Sequence, residues 1–224
     1  MDEVDAFPYA GNDTLHSFFN RAIKGKYILM SATITPELKN QISKDGADIL
    51  ELFTRFHNHP LPVPECIFSN TIFLYYNLVK ILKKFIKNNK QVFIFCPTIS
   101  ICELVYKFLI IFVKNGTYVH SKREQREVII NDFKNGKYKY LVTTAVLERG
   151  VSVKDLQVIV FLANHNVYNQ YSLIQIAGRA GRKKEAPEGK VIFLATKTNK
   201  EIEECISTIT KSNFNLQKLF QKNR

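Results

Sequence analysis

From residue 91 onward, short apolar runs alternate with stretches whose apolar positions recur at helical spacing. We expect strands over 91–96, 117–120, 139–144, 158–162 and 191–195, helices over 100–113 and 123–133, a helix that carries two arginines, and a polar helix at the end. Continuous apolar strands separated by helices are typical of a parallel sheet covered on both faces. The pattern therefore predicts an α/β fold.

The first part of the chain has a shorter pattern of the same kind. It predicts a helix over 14–24, a strand over 26–30, a helix opened by Thr35 and Pro36, and a strand-like segment over 49–55. Three prolines then fall between His57 and Pro64 without any periodicity, which favours an extended linker. We therefore divide the chain into a first part over 1–58, a linker over 59–70 and a second domain over 71–224.

The second domain is predicted to open with an amphipathic helix over 72–87. Its apolar positions are Leu74, Leu78, Ile81, Leu82 and Phe85, and its basic positions are Lys80, Lys83, Lys84 and Lys87. A solvated lysine face is the simpler interpretation, and contact with nucleic acid is the alternative.

Composition narrows the classes of function. The net charge of +12 favours a polyanionic partner, and nucleic acid before a membrane. No apolar run is long enough for a transmembrane segment and the start does not resemble a signal peptide, so we expect a cytoplasmic protein. The four cysteines are scattered without a CxxC pair, so we expect no zinc site in this chain.

The segment 175–182, QIAGRAGR, is the strongest candidate for chemistry. Arg179 and Arg182 are three residues apart, so on a helix or in its C-terminal turn they leave from neighbouring positions. Two permanently charged, fork-shaped donors suit a phosphoryl group in transfer. The alternative is a helix C-terminus closed by Gly181, where basic residues are favoured by the helix dipole.

Polar residues also follow several predicted strands, and ligands bind at the carboxyl ends of strands in such sheets. These residues are Ser31 and Thr33 after the first predicted strand, Thr98 after the strand over 91–96, and Thr143 and Thr144 at the end of the strand over 139–144.

Five short motifs occur in one order along the chain. They are DEVD at 2–5, SAT at 31–33, FCPT at 95–98, Thr143 and Thr144 followed by ERG at 148–150, and QIAGRAGR at 175–182. Their order and spacing resemble motifs II to VI of superfamily 2 helicases. Within that superfamily, DEVDAFPYA at 2–10, FHNHPLPVP at 56–64 and LERGV at 147–151 resemble the ComFA family of late-competence DNA-uptake ATPases.

This resemblance implies a RecA-like parallel sheet flanked by helices, that is, a complete C-terminal helicase domain preceded by a truncated remnant of a first RecA-like domain. It implies an ATP site with Mg²⁺, in which Asp2 holds the metal through water and Glu3 orients the attacking water. Without the later motifs, Asp2 and Glu3 would be read as a frayed acidic terminus.

The remaining ATP-site residues follow from the same resemblance. Arg179 and Arg182 would act as fingers on the γ-phosphate, with Gln175 and Gly150 beside the nucleotide. Ser31 and Thr33 would link nucleotide state to domain closure, although they could simply cap the next helix.

The resemblance also implies a path for a nucleic-acid strand. Thr98, Thr143 and Thr144 would contact the phosphate backbone, with His120 at its border. As ordinary strand-end threonines these residues need no function. His57 and His59 lack a third ligand, which favours packing over a metal site.

The chain departs from the pattern in lacking a Walker A loop, G-x-x-x-x-G-K-[ST], within its 224 residues. We therefore expect no ATP hydrolysis from these residues alone. The implied parent activity is ATP-driven translocation on single-stranded DNA in competence, with DNA-uptake proteins at the membrane as partners and a location at the inner face of the cell membrane. The alternatives are a non-enzymatic nucleic-acid-binding or partner-docking module, and part of a repair or RNA helicase.

Overall fold

The computed structural model describes residues 12–31, 39–40, 42, 48–50, 55, 58–144 and 153–222. Contacts between Cα atoms divide the chain into two compact units, Met1–Leu52 and Phe53–Arg224. The second unit contains all of the described strands. The prediction of a remnant domain over 1–58 and a linker over 59–70 stays a prediction.

The first unit contains helix α1 (Asp13–Ala22), as the apolar spacing predicts. The Asn12 side chain accepts a hydrogen bond from the Leu15 amide at 3.1 Å and caps this helix. The predicted strand over 26–30 is wrong, because these residues form no strand in the structure. An apolar run alone does not determine a strand, which also requires ladder hydrogen bonds to a neighbouring strand.

In the second unit, strands and helices alternate almost throughout. The elements in order are β1 (Glu65–Phe68), α2 (Thr71–Lys87), β2 (Gln91–Phe95), α3 (Ile99–Phe112), β3 (Gly116–Val119), α4 (Arg126–Lys134), β4 (Tyr140–Thr143), β5 (Leu156–Phe161), α5 (Gln170–Ala177), β6 (Val191–Ala195) and α6 (Lys200–Lys222). The predicted strands and helices from residue 72 onward are confirmed to within a few residues, except that the helix predicted to carry two arginines ends at Ala177, before both of them. The predicted linker over 59–70 contains β1, a strand that the proline pattern did not reveal.

The six strands form one sheet in the order β1-β6-β5-β2-β4-β3. Every neighbouring pair is parallel. This confirms the predicted parallel α/β architecture and places the carboxyl ends of all six strands along the same edge of the sheet.

Helices cover both faces of the sheet, and alternate strand residues point to each face. On one face, α2 and α3 bury Leu78 and Val105 against Ile94 and Ile159. On the other face, α4, α5 and α6 pack on Phe93, Val160 and Phe193. Strands buried on both sides explain the continuous apolar runs in the sequence.

Candidate functional site

Three adjacent strands end in register at the carboxyl edge of the sheet. Phe95 of β2 pairs with Thr143 of β4, which in turn pairs with Val119 of β3. Thr144 and His120 follow their strand ends directly and Thr98 lies three residues after the end of β2, so the four candidate nucleic-acid-binding residues fall on one edge. We call Thr98, His120, Thr143 and Thr144 the carboxyl-edge cluster.

The side chains of this cluster have different environments. The Thr98 hydroxyl accepts a hydrogen bond from the Ile101 amide at 3.2 Å and caps α3, while Thr98 stays half-buried. Thr143 is fully buried and its hydroxyl donates to the Thr144 carbonyl oxygen at 3.1 Å. The hydroxyl oxygen of Thr144 is buried and has no hydrogen-bond partner among the described residues. The hydroxyls of Thr98 and Thr143 therefore have structural roles, whatever else the edge binds.

His120 is almost completely buried next to an acidic side chain. Its Nε2 lies 3.1 Å from Oε1 of Glu103, and its Nδ1 has no hydrogen-bond partner in the part of the chain that the structure describes. The Arg123 guanidinium stacks on the Tyr118 ring at 3.8 Å and donates to the Tyr118 carbonyl oxygen. His120 therefore borders the edge as part of a packed cluster of polar and aromatic groups.

The arginine-bearing segment follows helix α5. Asn169 caps the helix by accepting from the Ser172 amide at 2.8 Å, while the Asn169 amide donates to the Ser172 hydroxyl at 3.1 Å. Leu173, Ile176 and Ala177 anchor the helix in the core. The helix stops at Ala177, so Arg179 and Arg182 lie in and just after the turn that follows it.

This arginine turn, residues 178–182, adopts a defined backbone conformation. The Gly178 amide donates to the Ile174 carbonyl oxygen at 2.9 Å, and the Arg179 and Ala180 amides donate to Ile176 and Ala177 at 3.1 and 3.2 Å. Gly181 then has a positive φ of 60°, the left-handed conformation that glycine favours. Gly181 therefore also has the helix-ending conformation that the alternative interpretation of this segment predicts.

The turn lies near the amino end of β5, on the opposite edge of the sheet from the carboxyl-edge cluster. A Cβ added at Gly189 would meet both the Gly181 amide nitrogen, at 2.6 Å, and the carbonyl oxygen of Leu156, the first residue of β5, at 2.8 Å. The arginine turn therefore lies at the edge formed by the amino ends of the strands, and the carboxyl-edge cluster lies at the opposite edge of the same sheet.

The two arginines differ in exposure. Arg179 is 7% exposed and Arg182 is exposed. Gln175 is half-buried on α5. Among these three residues, Arg182 is the one whose side chain is most open to an incoming anion.

A third arginine, Arg55, contacts this turn and was missed by the sequence analysis. Its Nη2 donates to the carbonyl oxygens of Gly178, at 3.4 Å, and Ala180, at 3.1 Å. Its Nη1 is buried and has no hydrogen-bond partner within the described ranges of the chain. Burial, and then the positive charge of Arg182, lower the pKa of the Arg55 guanidinium. No local motif marked this residue.

Several predicted site residues lie outside the described part of the chain. They are Asp2, Glu3, Thr33 and Gly150. Ser31 is described, half-buried and without regular structure, in the first unit. The roles predicted for these five residues stay predictions.

No group of three or more His, Cys, Asp and Glu side chains among the described residues could hold a metal ion. Cys96, Cys102 and Cys205 are buried free thiols, and Cys66 is half-buried. The donor set at the arginine turn consists of guanidinium groups, which fits the phosphates of a nucleotide and not a cation. No helix in the described ranges has the length and apolar character needed to cross a membrane.

Comparisons with known proteins agree with this geometry. The model of the helicase conserved C-terminal domain matches residues 77–184. Competence protein ComFA of Bacillus subtilis is 34% identical over 203 residues, and that of Streptococcus pneumoniae is 32% identical over 224. The chain therefore contains a helicase conserved C-terminal domain and is similar to ComFA over most of its length. The two alignments cover 86% and 95% of the chain, but only 44% and 52% of the ComFA relatives, so the chain spans about half of their length.

Solved structures support the same fold assignment. Saccharomyces cerevisiae Dbp5 bound to RNA and ADP BeF3 matches with a TM-score of 0.68 at 22% identity, covering 94% of this chain and 56% of that chain. The six-stranded parallel sheet is thus the RecA-like C-terminal domain of a helicase, as the sequence motifs predict.

Proposed function

We propose that this chain supplies the second RecA-like domain of an ATP-dependent motor that translocates on single-stranded DNA during DNA uptake. The observation that carries the proposal is the arginine turn, where exposed Arg182 and buried Arg179 follow a rigidly capped helix. The ComFA relatives support the competence role by their names and by identities above 30%.

In this proposal, Arg182 binds the γ-phosphate of ATP and stabilises the charge that develops during phosphoryl transfer. Arg179 supports the same region from its buried position, and Gln175 lies one turn before it on α5. The Dbp5 structure matched by this chain contains ADP BeF3, a nucleotide complex, which fits a nucleotide-facing role for the domain. Mg²⁺ would arrive with ATP and be held by Asp2, with Glu3 orienting water.

Hydrolysis would need a phosphate cradle from elsewhere. These 224 residues contain no Walker A loop, and the backbone amides and lysine of that loop normally hold the β- and γ-phosphates. The chain alone is therefore proposed to be inactive as an ATPase and to contribute fingers to a site that another segment completes.

The carboxyl-edge cluster is proposed to lie along the nucleic-acid strand. Thr143, Thr144 and His120 are buried. The contacts to phosphates would therefore come mainly from backbone amides and from half-buried Thr98. Such contacts do not distinguish one base sequence from another. The net charge of +12 adds a sequence-independent attraction. DNA-uptake proteins at the inner face of the membrane are the proposed partners.

A second candidate is part of an RNA helicase. Its support is that other relatives have RNA helicase names, such as DEAD-box ATP-dependent RNA helicase 25 of Arabidopsis thaliana, 35% identical over 122 residues. Fluorescence anisotropy with labelled single strands of matched length separates the two candidates. Tighter binding of DNA than of RNA favours the DNA motor, and a clear preference for RNA contradicts it.

A further inference from the structure

Arg55 joins the segment before β1 to the arginine turn, although it lies 123 and 125 residues from the backbone groups that it binds. Both of these groups, the carbonyls of Gly178 and Ala180, belong to the turn that directly follows α5, and Gly178 is the C-cap of the helix. Carbonyl groups at a helix C-terminus lack partners inside the helix, and a cation there is favoured by the helix dipole. Arg55 therefore caps α5 from a distant part of the chain.

The identity of this cap has an electrostatic consequence. Arg55 binds the Ala180 carbonyl oxygen at 3.1 Å, two residues before the exposed Arg182, so two permanently positive side chains meet at the same short turn. Two like charges repel, so Arg182 is disfavoured from folding back onto the turn and is directed to solvent. A neutral donor would cap the same carbonyls without this repulsion.

We propose that Arg55 is a positioning residue for Arg182: it fixes the turn by its two carbonyl contacts and holds the Arg182 guanidinium outward for an anionic phosphate. This inference rests on the proposed function of Arg182. It adds a third arginine, outside the QIAGRAGR segment, to the nucleotide-facing part of the domain. Arg55 itself acts through the turn and need not touch the nucleotide.

The chain offers a matched control for the structural part of this contact. Asn213 of α6 also makes two hydrogen bonds to the segment before β1, accepting from the Leu61 amide at 2.9 Å and donating to the Leu61 carbonyl oxygen at 2.8 Å. Removing Asn213 loosens the same segment but leaves the carbonyls of Gly178 and Ala180 with their partner. Asn213→Ala therefore separates general loosening from loss of the cap.

The test is amide hydrogen exchange, measured by NMR at Gly178, Arg179 and Ala180, the three turn amides with defined acceptors. The Leu173 amide at the start of α5, which donates to Asn169, is the internal reference. Arg55→Met is expected to speed exchange of the turn amides at least about tenfold relative to Leu173. Arg55→Lys, which keeps a charged donor, should restore much of the protection, and Asn213→Ala should leave it nearly unchanged.

Unchanged exchange in Arg55→Met would overturn the proposal. So would acceleration of Leu173 to the same extent, or an equal effect of Asn213→Ala, because each would indicate general loosening. A second arm titrates the chain with tripolyphosphate, which should protect the turn amides in the wild type and less so in Arg182→Ala and Arg55→Met. If tripolyphosphate does not protect the turn amides of the wild type, Arg182 does not bind phosphate. The exchange measurements without ligand test the role of Arg55 independently of that result.

Discussion

Gly181 and Pro187 approach each other so closely that a Cβ on Gly181 would stand 2.0 Å from the Pro187 carbonyl oxygen. Gly181 also has a φ of 60°, which side-chain-bearing residues rarely adopt. The turn that carries Arg179 and Arg182 therefore depends on a residue without a side chain, for two separate reasons.

Gly181→Ala should destabilise the domain by more than the cost of the backbone conformation alone. We expect a loss of about 2 kcal/mol or more in the free energy of unfolding, since strain and a backbone clash add. Gly136→Ala is the matched control, because Gly136 has a φ of 81° but nothing within 4 Å of an added Cβ. It should cost about 1 kcal/mol. Urea unfolding of both variants checks the difference, and equal losses would contradict the clash.

Thr98 should contribute to stability through its cap on α3. Thr98→Ala is expected to cost about 1 kcal/mol, because the Ile101 amide loses its acceptor. Thr98→Ser keeps the hydroxyl and should stay close to the wild type. Thermal unfolding measures both variants, and a Thr98→Ala protein as stable as Thr98→Ser would show that the cap contributes nothing.

Alkaline pH should weaken the domain through its buried thiols. Burial raises the pKa of Cys102 and of Cys205 to about 12 from an ordinary value of 9.0. The folded state therefore holds these protons more tightly than the unfolded state, so the stabilisation is complete below pH 9 and falls as the pH rises toward 12. Urea unfolding between pH 8 and 11 should show the decline. A Cys102→Ala, Cys205→Ala double variant should decline less steeply, and an identical decline would rule out these thiols as the cause.

Binding of single-stranded DNA should depend strongly on salt. With a net charge of +12 and contacts mainly to phosphates, raising the salt from 50 to 200 mM should weaken binding by at least about tenfold. Oligonucleotides of equal length and different sequence should bind with similar affinity. Fluorescence anisotropy measures both effects. A strong sequence preference with little salt dependence would contradict the proposal that the carboxyl-edge cluster contacts the phosphate backbone of the DNA.

The second domain was largely predictable because its strands are buried on both sides. Runs such as residues 91–95 and 191–195 can be read directly as strands. The same logic failed over 26–30, where an apolar run does not form a strand. β1 was missed because it lies within the range that the preceding prolines led us to assign as a linker.

The candidate site was predictable only in part, since sequence spacing carries no information on burial. Arg179 and Arg182 are equivalent in the motif, yet one is buried and the other exposed. Arg55 could not be found at all, because its partners are backbone carbonyls more than a hundred residues away. Backbone acceptors leave no residue-type signal in a sequence.

The central claim is that Arg182 acts on the γ-phosphate of a site completed by another segment. The most direct measurement is ATP hydrolysis, with single-stranded DNA, by a fusion protein that joins this chain to the part of the Bacillus subtilis ComFA relative that the chain does not match. We predict DNA-stimulated hydrolysis by the fusion protein, none by the chain alone, and a loss of about a thousandfold or more in Arg182→Ala. Hydrolysis by Arg182→Ala at the unmodified rate, or by the chain alone, would contradict the account.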